Sequence, residues 1–118
     1  MQVSDHSFHD STILKVTEYP AEQAISFLID FPIDWDNNIF EKYILRFDEV
    51  ISYSIDEIPF GQNPTIMEIE EHGKVTKKFG SGVSSITVER ESITIITTAG
   101  KRTIQYSTAE LTKYAGKD

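Results

Sequence analysis

Sixteen isoleucines and six valines stand against four leucines and five alanines in a chain of 118 residues. Branched Cβ atoms restrict χ1 and suit the pleated surface of a sheet, whereas Ala and Leu are the helix formers. Eleven threonines, seven phenylalanines and five tyrosines push the same way. The residue choice commits the chain to an all-β fold.

Alternation places the strands. In 23–31 the residues Ile25, Phe27, Ile29 and Phe31 alternate with Ala24, Ser26, Leu28 and Asp30, which gives one strongly apolar face. Burying those four side chains contributes about 6–12 kcal/mol before chain entropy is set against it. Tyr43, Leu45 and Phe47 continue the pattern, and after Glu49 so do Ile51, Tyr53 and Ile55. One strand over 42–55 is unusually long, so a bulge or bend is expected near Asp48-Glu49. The remainder reads as a meander. Segments 65–71 and 74–79 flank a turn at His72-Gly73, segments 84–89 and 93–97 flank Arg90-Glu91-Ser92, and 102–106 follows a turn at Ala99-Gly100-Lys101. Turn signals at this spacing mark a sandwich or barrel. Ser107-Thr108-Ala109-Glu110 has the spacing of a capping box, which predicts a short helix with Leu111 and Tyr114 on its apolar edge. The expected architecture is a single β-rich domain over 1–118. It is an antiparallel sandwich or a strongly bent barrel-like sheet, with a short C-terminal helix. Neither a linker nor an internal repeat interrupts it. A compact domain of this length has a radius of gyration of about 13–14 Å.

The formal charge is −8 and unevenly placed. Residues 1–72 carry 15 acids against Lys15, Lys42 and Arg46, a sum of −12; residues 73–118 carry 8 bases against 4 acids, a sum of +4. Phosphate neutralisation wants a concentrated basic face, so nucleic-acid binding is not expected. An acidic surface favours basic partners and speeds their encounter. Without cysteine there is no disulfide, no thiolate nucleophile and no sulfur-built zinc site. No apolar run approaches the roughly 18 residues of a membrane-spanning helix. The first residues, Met1-Gln2-Val3-Ser4-Asp5-His6, lack the basic and apolar regions of a signal peptide, so a cytoplasmic location is expected.

Motifs of catalysis are weak. His6 and His9 have a spacing that brings two imidazoles together on a helical turn, but the stretch leads into a strand, and no nearby motif supplies further ligands. His9 or Asp10 is instead expected to hydrogen-bond backbone where the first strand begins. Asp34, Asp36 and Asn38 imitate the start of a calcium loop, but Ile39 stands where Gly is required and Leu45 where a bidentate Glu is required. An acidic connecting loop with Trp35 tucked against the sheet is the expectation. Gly80-Ser81-Gly82 lacks the third glycine and the following helix of a phosphate loop, and no serine sits in a Gly-x-Ser-x-Gly elbow. No metal, cofactor or catalytic residue is assigned. The loop 56–64 carries Ile58 and Phe60 beside Asp56 and Glu57, with two prolines and a glycine that keep it out of a central strand. Apolar groups on a loop either fold back under the domain or form part of a contact surface. Exposed, they make an apolar anchor with an acidic rim, and with Trp35 they form the candidate partner-binding set: Asp56, Glu57, Ile58, Phe60 and Trp35.

Phe8-His9-Asp10-Ser11, followed at once by a strand, resembles the opening of a loose group of small bacterial domains, some of them classed as immunity proteins that neutralise polymorphic toxins. Leu45-Arg46-Phe47-Asp48-Glu49-Val50, leading into 51–55, is similar to their central strand region. The resemblance implies an intracellular single domain that works by binding, with no catalytic residues to transfer. Its partner is then a basic protein such as a toxin. Two other functions are compatible with the residues: a sandwich or barrel that holds a small ligand in a pocket lined by Phe and Tyr, and a self-associating structural module that uses the edge strands every open sheet exposes.

Overall fold

The structure, a computed structural model, describes residues 2–59 and 61–116. Its strands are β1 (Thr12–Tyr19), β2 (Ala24–Asp34), β3 (Ile39–Asp48), β4 (Ser52–Glu57), β5 (Ile66–Phe79), β6 (Ile86–Thr97), β7 (Gly100–Tyr106) and β8 (Thr108–Lys113). They form two four-stranded antiparallel sheets, ordered β1-β2-β3-β8 and β4-β7-β6-β5. The inward-facing rows of both sheets meet in one core, as a sandwich requires. Phe27, Ile29, Leu45 and Phe47 come from the first sheet and Ile66, Ile93, Ile95 and Ile104 from the second, all almost wholly buried. A chain of rings crosses between the sheets: Tyr53 lies 6.1 Å from Phe27, Phe27 5.9 Å from Phe47, and Phe47 4.8 Å from Tyr106. The expected all-β sandwich is the fold, and the sheets do not close into a barrel.

Two stitches hold the sheets together. At one end β3 crosses to become β4 while β7 crosses to become β8. There Asp48 accepts the Ser107 N–H at 3.0 Å, Gln105 accepts that of Ile51 at 3.0 Å, and Gln23 accepts that of Val50 at 2.8 Å. Glu49 takes a left-handed φ of 52° at this corner, so the bend expected near Asp48-Glu49 is where one long ribbon changes sheet. At the other end the start of β1 meets the start of β5 through a Thr12–Thr65 bridge, and Ile66 donates to Ser11 at 2.7 Å.

Three local expectations are corrected. The capping-box segment is not a helix but β8, which pairs with β3 from Asp48↔Thr108 to Tyr43↔Lys113. A helix of two turns is marginal in water, whereas the open edge of β3 offers a full ladder and buries Ala109 to 4% exposure. His72-Gly73 is not a turn but a bulge inside β5: Glu71 pairs with Ile93 and Gly73 with Ser92, leaving His72 as the extra residue. Arg90-Glu91-Ser92 likewise lies inside β6 rather than turning it. The reversal sits at 80–85, where Gly80 and Gly82 take φ values of 82° and 61°. These changes produce a long hairpin. β7 accompanies β6 only as far as Glu91↔Tyr106, so Lys74–Phe79 and Ile86–Arg90 project beyond the sandwich as a two-stranded arm. The molecule measures 58 × 30 × 25 Å, and its radius of gyration of 15.3 Å exceeds that of a compact domain because of this extension.

Candidate functional site

Glu57 ends β4, Arg102 lies on β7 and Thr97 ends β6, three adjacent strands of one sheet. Arg102 grips the Glu57 carboxylate bidentately, Nε to Oε2 at 2.9 Å and Nη2 to Oε1 at 2.8 Å, and its Nη1 donates to the Tyr53 hydroxyl at 2.9 Å. The Thr97 hydroxyl donates to the same carboxylate at 2.9 Å. Both charged side chains are nearly buried, with 9% of Glu57 and 11% of Arg102 exposed. Burial works to raise the Glu57 carboxyl, but the hydrogen bonds from Arg102 and Thr97 outweigh it and hold the group below the usual carboxylate range. This clamp fastens β4 to the sheet, and its groups already have partners. Glu57 therefore does not stand on an exposed acidic rim, and that part of the expected contact set is corrected. An arginine in the row Arg102-Ile104-Tyr106 was the available sequence signal, because a charge on an apolar face demands a buried partner.

Of the other expected contact residues, Asp56, Ile58 and Trp35 lie at the end of the sandwich opposite the arm. Asp56 and Ile58 lie at the close of β4, with Ile58 59% exposed and its N–H bonded to the Ala99 carbonyl at 3.0 Å. Trp35 sits at the tip of the β2–β3 hairpin and is 53% exposed, so it is not tucked against the sheet. The reason is local. Asp34 accepts from the Asn37 side-chain amide at 2.7 Å and its N–H at 3.2 Å, and Asn38 N–H bonds to the Trp35 carbonyl with a φ of 54°. These bonds close a tight turn that turns the indole outward and hold the Asp34 carboxyl below its ordinary range. Ile33 and Ile39, on either side of the turn, are also exposed. Sequence reading missed them because alternation assigns both to strands without saying that the strands outrun the sandwich. Phe60 lies outside the described residues.

His9 Nδ1 donates to the Met67 carbonyl at 2.7 Å where β1 and β5 approach, and its Nε2 lies 3.4 Å from Asp10. Asp10 takes a left-handed φ of 70° and its N–H bonds to the Ile66 carbonyl at 2.9 Å. Beside them a cleft of about 290 Å³ is lined by Val3, His6, Phe8, Met67, Glu68 and Glu71 among others. Among the described residues no three His, Asp or Glu side chains converge in a geometry that could hold a metal ion.

The arm presents two unlike faces. Register puts Val75, Lys77 and Phe79 opposite Arg90, Val88 and Ile86 on one side, and Lys74, Thr76 and Lys78 opposite Glu91, Glu89 and Thr87 on the other. Along one face of the arm Phe79, Ile86, Val88 and Arg90 line a cleft of about 420 Å³ together with Gln23, Val50 and Ile51, and at the arm's base Arg90 Nε donates to the Glu49 carbonyl at 2.8 Å. Nearby, burial first and then the Glu71 and Glu91 carboxylates push the Tyr106 phenol up to about 12. At the tip Val83 is fully exposed.

The fold and these surfaces define an all-β sandwich with a hairpin projecting from each end. Comparison with protein-family models, with curated proteins and with solved structures finds no match.

Proposed function

We propose that this chain is a non-catalytic protein-binding module that occludes a basic partner, in the manner of an immunity protein. The observation that carries this reading is the β2–β3 end, where Ile33, Trp35 and Ile39 are exposed beside Asp34 and Asp36, with Ile58 and Asp56 at the same end on the other sheet. Exposed aromatic and aliphatic anchors ringed by acids suit a partner that brings apolar pockets and a basic rim. Few monomers leave so many large apolar side chains in water without a use for them. The small-ligand alternative draws no support, because the space between the sheets is filled by Phe27, Phe47, Ile29, Leu45, Ile93, Ile95 and Ile104.

The test is calorimetric binding to the product of the adjacent gene, the natural candidate for a toxin–antidote pair. Trp35→Ala combined with Asp36→Lys is expected to weaken binding at least about thirtyfold, the effect of losing one anchor worth about 2 kcal/mol. Asp56→Lys with Ile58→Ala is expected to weaken it less. Unchanged affinity in both variants would remove this end of the molecule as the contact surface.

A further inference from the structure

The arm leaves an apolar face uncovered. Register sets Val75, Lys77 and Phe79 against Arg90, Val88 and Ile86 there, and Phe79 and Ile86 are 43% and 62% exposed. A two-stranded ribbon is marginal in water by itself, so such an arm gains order when something covers it. Together with Val50 and Ile51 of the body, this face lines the cleft of about 420 Å³. That volume lies within the range of small-molecule pockets, enough to take an indole ring. Both charges on the face, Lys77 and Arg90, are positive, whereas Glu89 and Glu91 stand on the other face. Arg90 donates to the Glu49 and Glu89 carbonyls, neutral acceptors that do not cancel its charge. Two arms laid face to face would bring cation against cation. The cover that suits this face carries apolar groups and carboxylates.

The chain carries such a surface at its other end. Ile33, Trp35 and Ile39 are exposed around Asp34 and Asp36, and the stretch 33–39 contains no basic residue. The arm over 74–90 sets Lys74, Lys77, Lys78 and Arg90 against Glu89 alone, a sum of +3. The two surfaces thus match in apolar character and oppose in charge. They lie at opposite ends of a molecule 58 Å long, so no chain can join its own arm to its own Trp35 end.

We propose that the chain associates with itself head to tail, the Trp35 hairpin of one copy seated in the arm cleft of the next with Asp36 beside Lys77 and Arg90. This rests on the reading of the Trp35 end as a surface for basic partners, and it names one such partner, a second copy. Contact between two unlike surfaces at opposite poles is heterologous. Each added copy leaves one free arm and one free Trp35 end, so the assembly is open-ended. Trp35 is the sole tryptophan, and its emission therefore reports on the contact directly.

Sedimentation equilibrium and Trp35 emission, both followed from micromolar to millimolar concentration, test this, with a melting curve by circular dichroism on every variant. The wild type is expected to grow past twice 13.4 kDa as concentration rises, while its emission shifts to the blue. Phe79→Ser with Ile86→Ser disables the arm, and Trp35→Ala with Asp36→Lys disables the other end; all four side chains are exposed, so the fold is retained. Each disabled chain alone is expected to stay at 13.4 kDa. Their equimolar mixture is expected to stop at twice that mass, because one sound arm meets one sound end and the product cannot extend. Lys77→Glu alone is expected to weaken association at least about fivefold, the effect of reversing one charge at the contact. A wild type at 13.4 kDa throughout overturns the proposal. So does a disabled chain that dimerises alone, or a pair of folded disabled chains that do not combine. A monomeric wild type that binds the adjacent gene's product through Trp35 overturns the second copy as partner and leaves the reading of that end intact; loss of both overturns the surface itself.

Discussion

An arginine in an otherwise apolar row is the residue that most needs explaining, and Glu57 explains it. Two charges leave water here because four hydrogen-bonding side chains on three strands converge, and removal of one partner strands the other. Arg102→Ala is expected to cost about 3–5 kcal/mol in a denaturant titration, the loss seen when a buried pair is broken from one side. The same clamp sets an acid limit. Because the folded Glu57 carboxyl is held below its ordinary range, the unfolded chain binds the more protons near pH 4. Its contribution is therefore complete above about 4.3 and is lost as pH falls through the lower folded value. The midpoint of thermal unfolding should decline more steeply below that pH in the wild type than in Glu57→Gln. A variant with an equal slope would show that other carboxylates govern the acid limb. Glu57 itself was legible as an acid near a loop; its burial was not, because nothing local in 56–64 reveals that Arg102, forty-five residues later, lies on the adjoining strand.

At the scale of elements, alternation was read correctly on β2 and at the end of β3, but not on β4, where Ile55 of the expected apolar row is 54% exposed. Ile25, Phe27 and Ile29 on β2 point into the core as their spacing requires. The signal failed at the ends of elements. Ser107-Thr108-Ala109-Glu110 satisfies a helix start locally, yet the same residues alternate Thr108, Ala109, Glu110, Leu111 as exposed, buried, exposed, half-buried along β3. A free ladder on a neighbouring strand outbids a single turn of helix. His72-Gly73 and Arg90-Glu91-Ser92 carry turn residues, but turns form only if the chain can reverse there, and the paired hairpin continues through both. The turn at Ala99-Gly100 did form, and Gly100 is indispensable to it: a Cβ at that position would lie 2.2 Å from the Asp56 carbonyl oxygen and 2.9 Å from the Glu57 Cα. Gly100→Ala must push β4 away from β7 and break the clamp beside it. It is expected to destabilise the fold by about 3 kcal/mol or more, at the high end for a point change, with loss of hydrogen-exchange protection concentrated in 52–57. Uniform loss across both sheets would contradict that account.

At the scale of the molecule, charge and shape divide along the same line. Lys74, Lys77, Lys78 and Arg90 against Glu89 make the arm basic, which accounts for most of the positive half of the sequence, while the body stays acidic. The arm buries little apolar surface, with Phe79, Val83 and Ile86 exposed, so the sandwich should fold without it. Replacing residues 74–90 by Asn-Gly, which favours a tight hairpin turn, is expected to move the melting midpoint by no more than about 8 °C, roughly one kcal/mol in a domain of this size. Collapse of the cooperative transition would mean that the arm is part of the folding unit. The same shortened chain keeps the Trp35 end, so its affinity for a partner tests that surface without the arm.

The amino-acid sequence alone determined that this protein is built of extended segments, because branched and aromatic side chains in alternating rows have one economical use, two sheets with a shared apolar interior. It also determined which face of β2, and of β3 at Leu45 and Phe47, is buried. Only the tertiary structure decided that β3 and β7 change sheets at one corner, that the last segment becomes a strand, and that Glu57 is buried while Trp35 is not. Those outcomes depend on contacts between residues distant in the chain, and a periodicity of two residues carries no record of which strand will lie alongside.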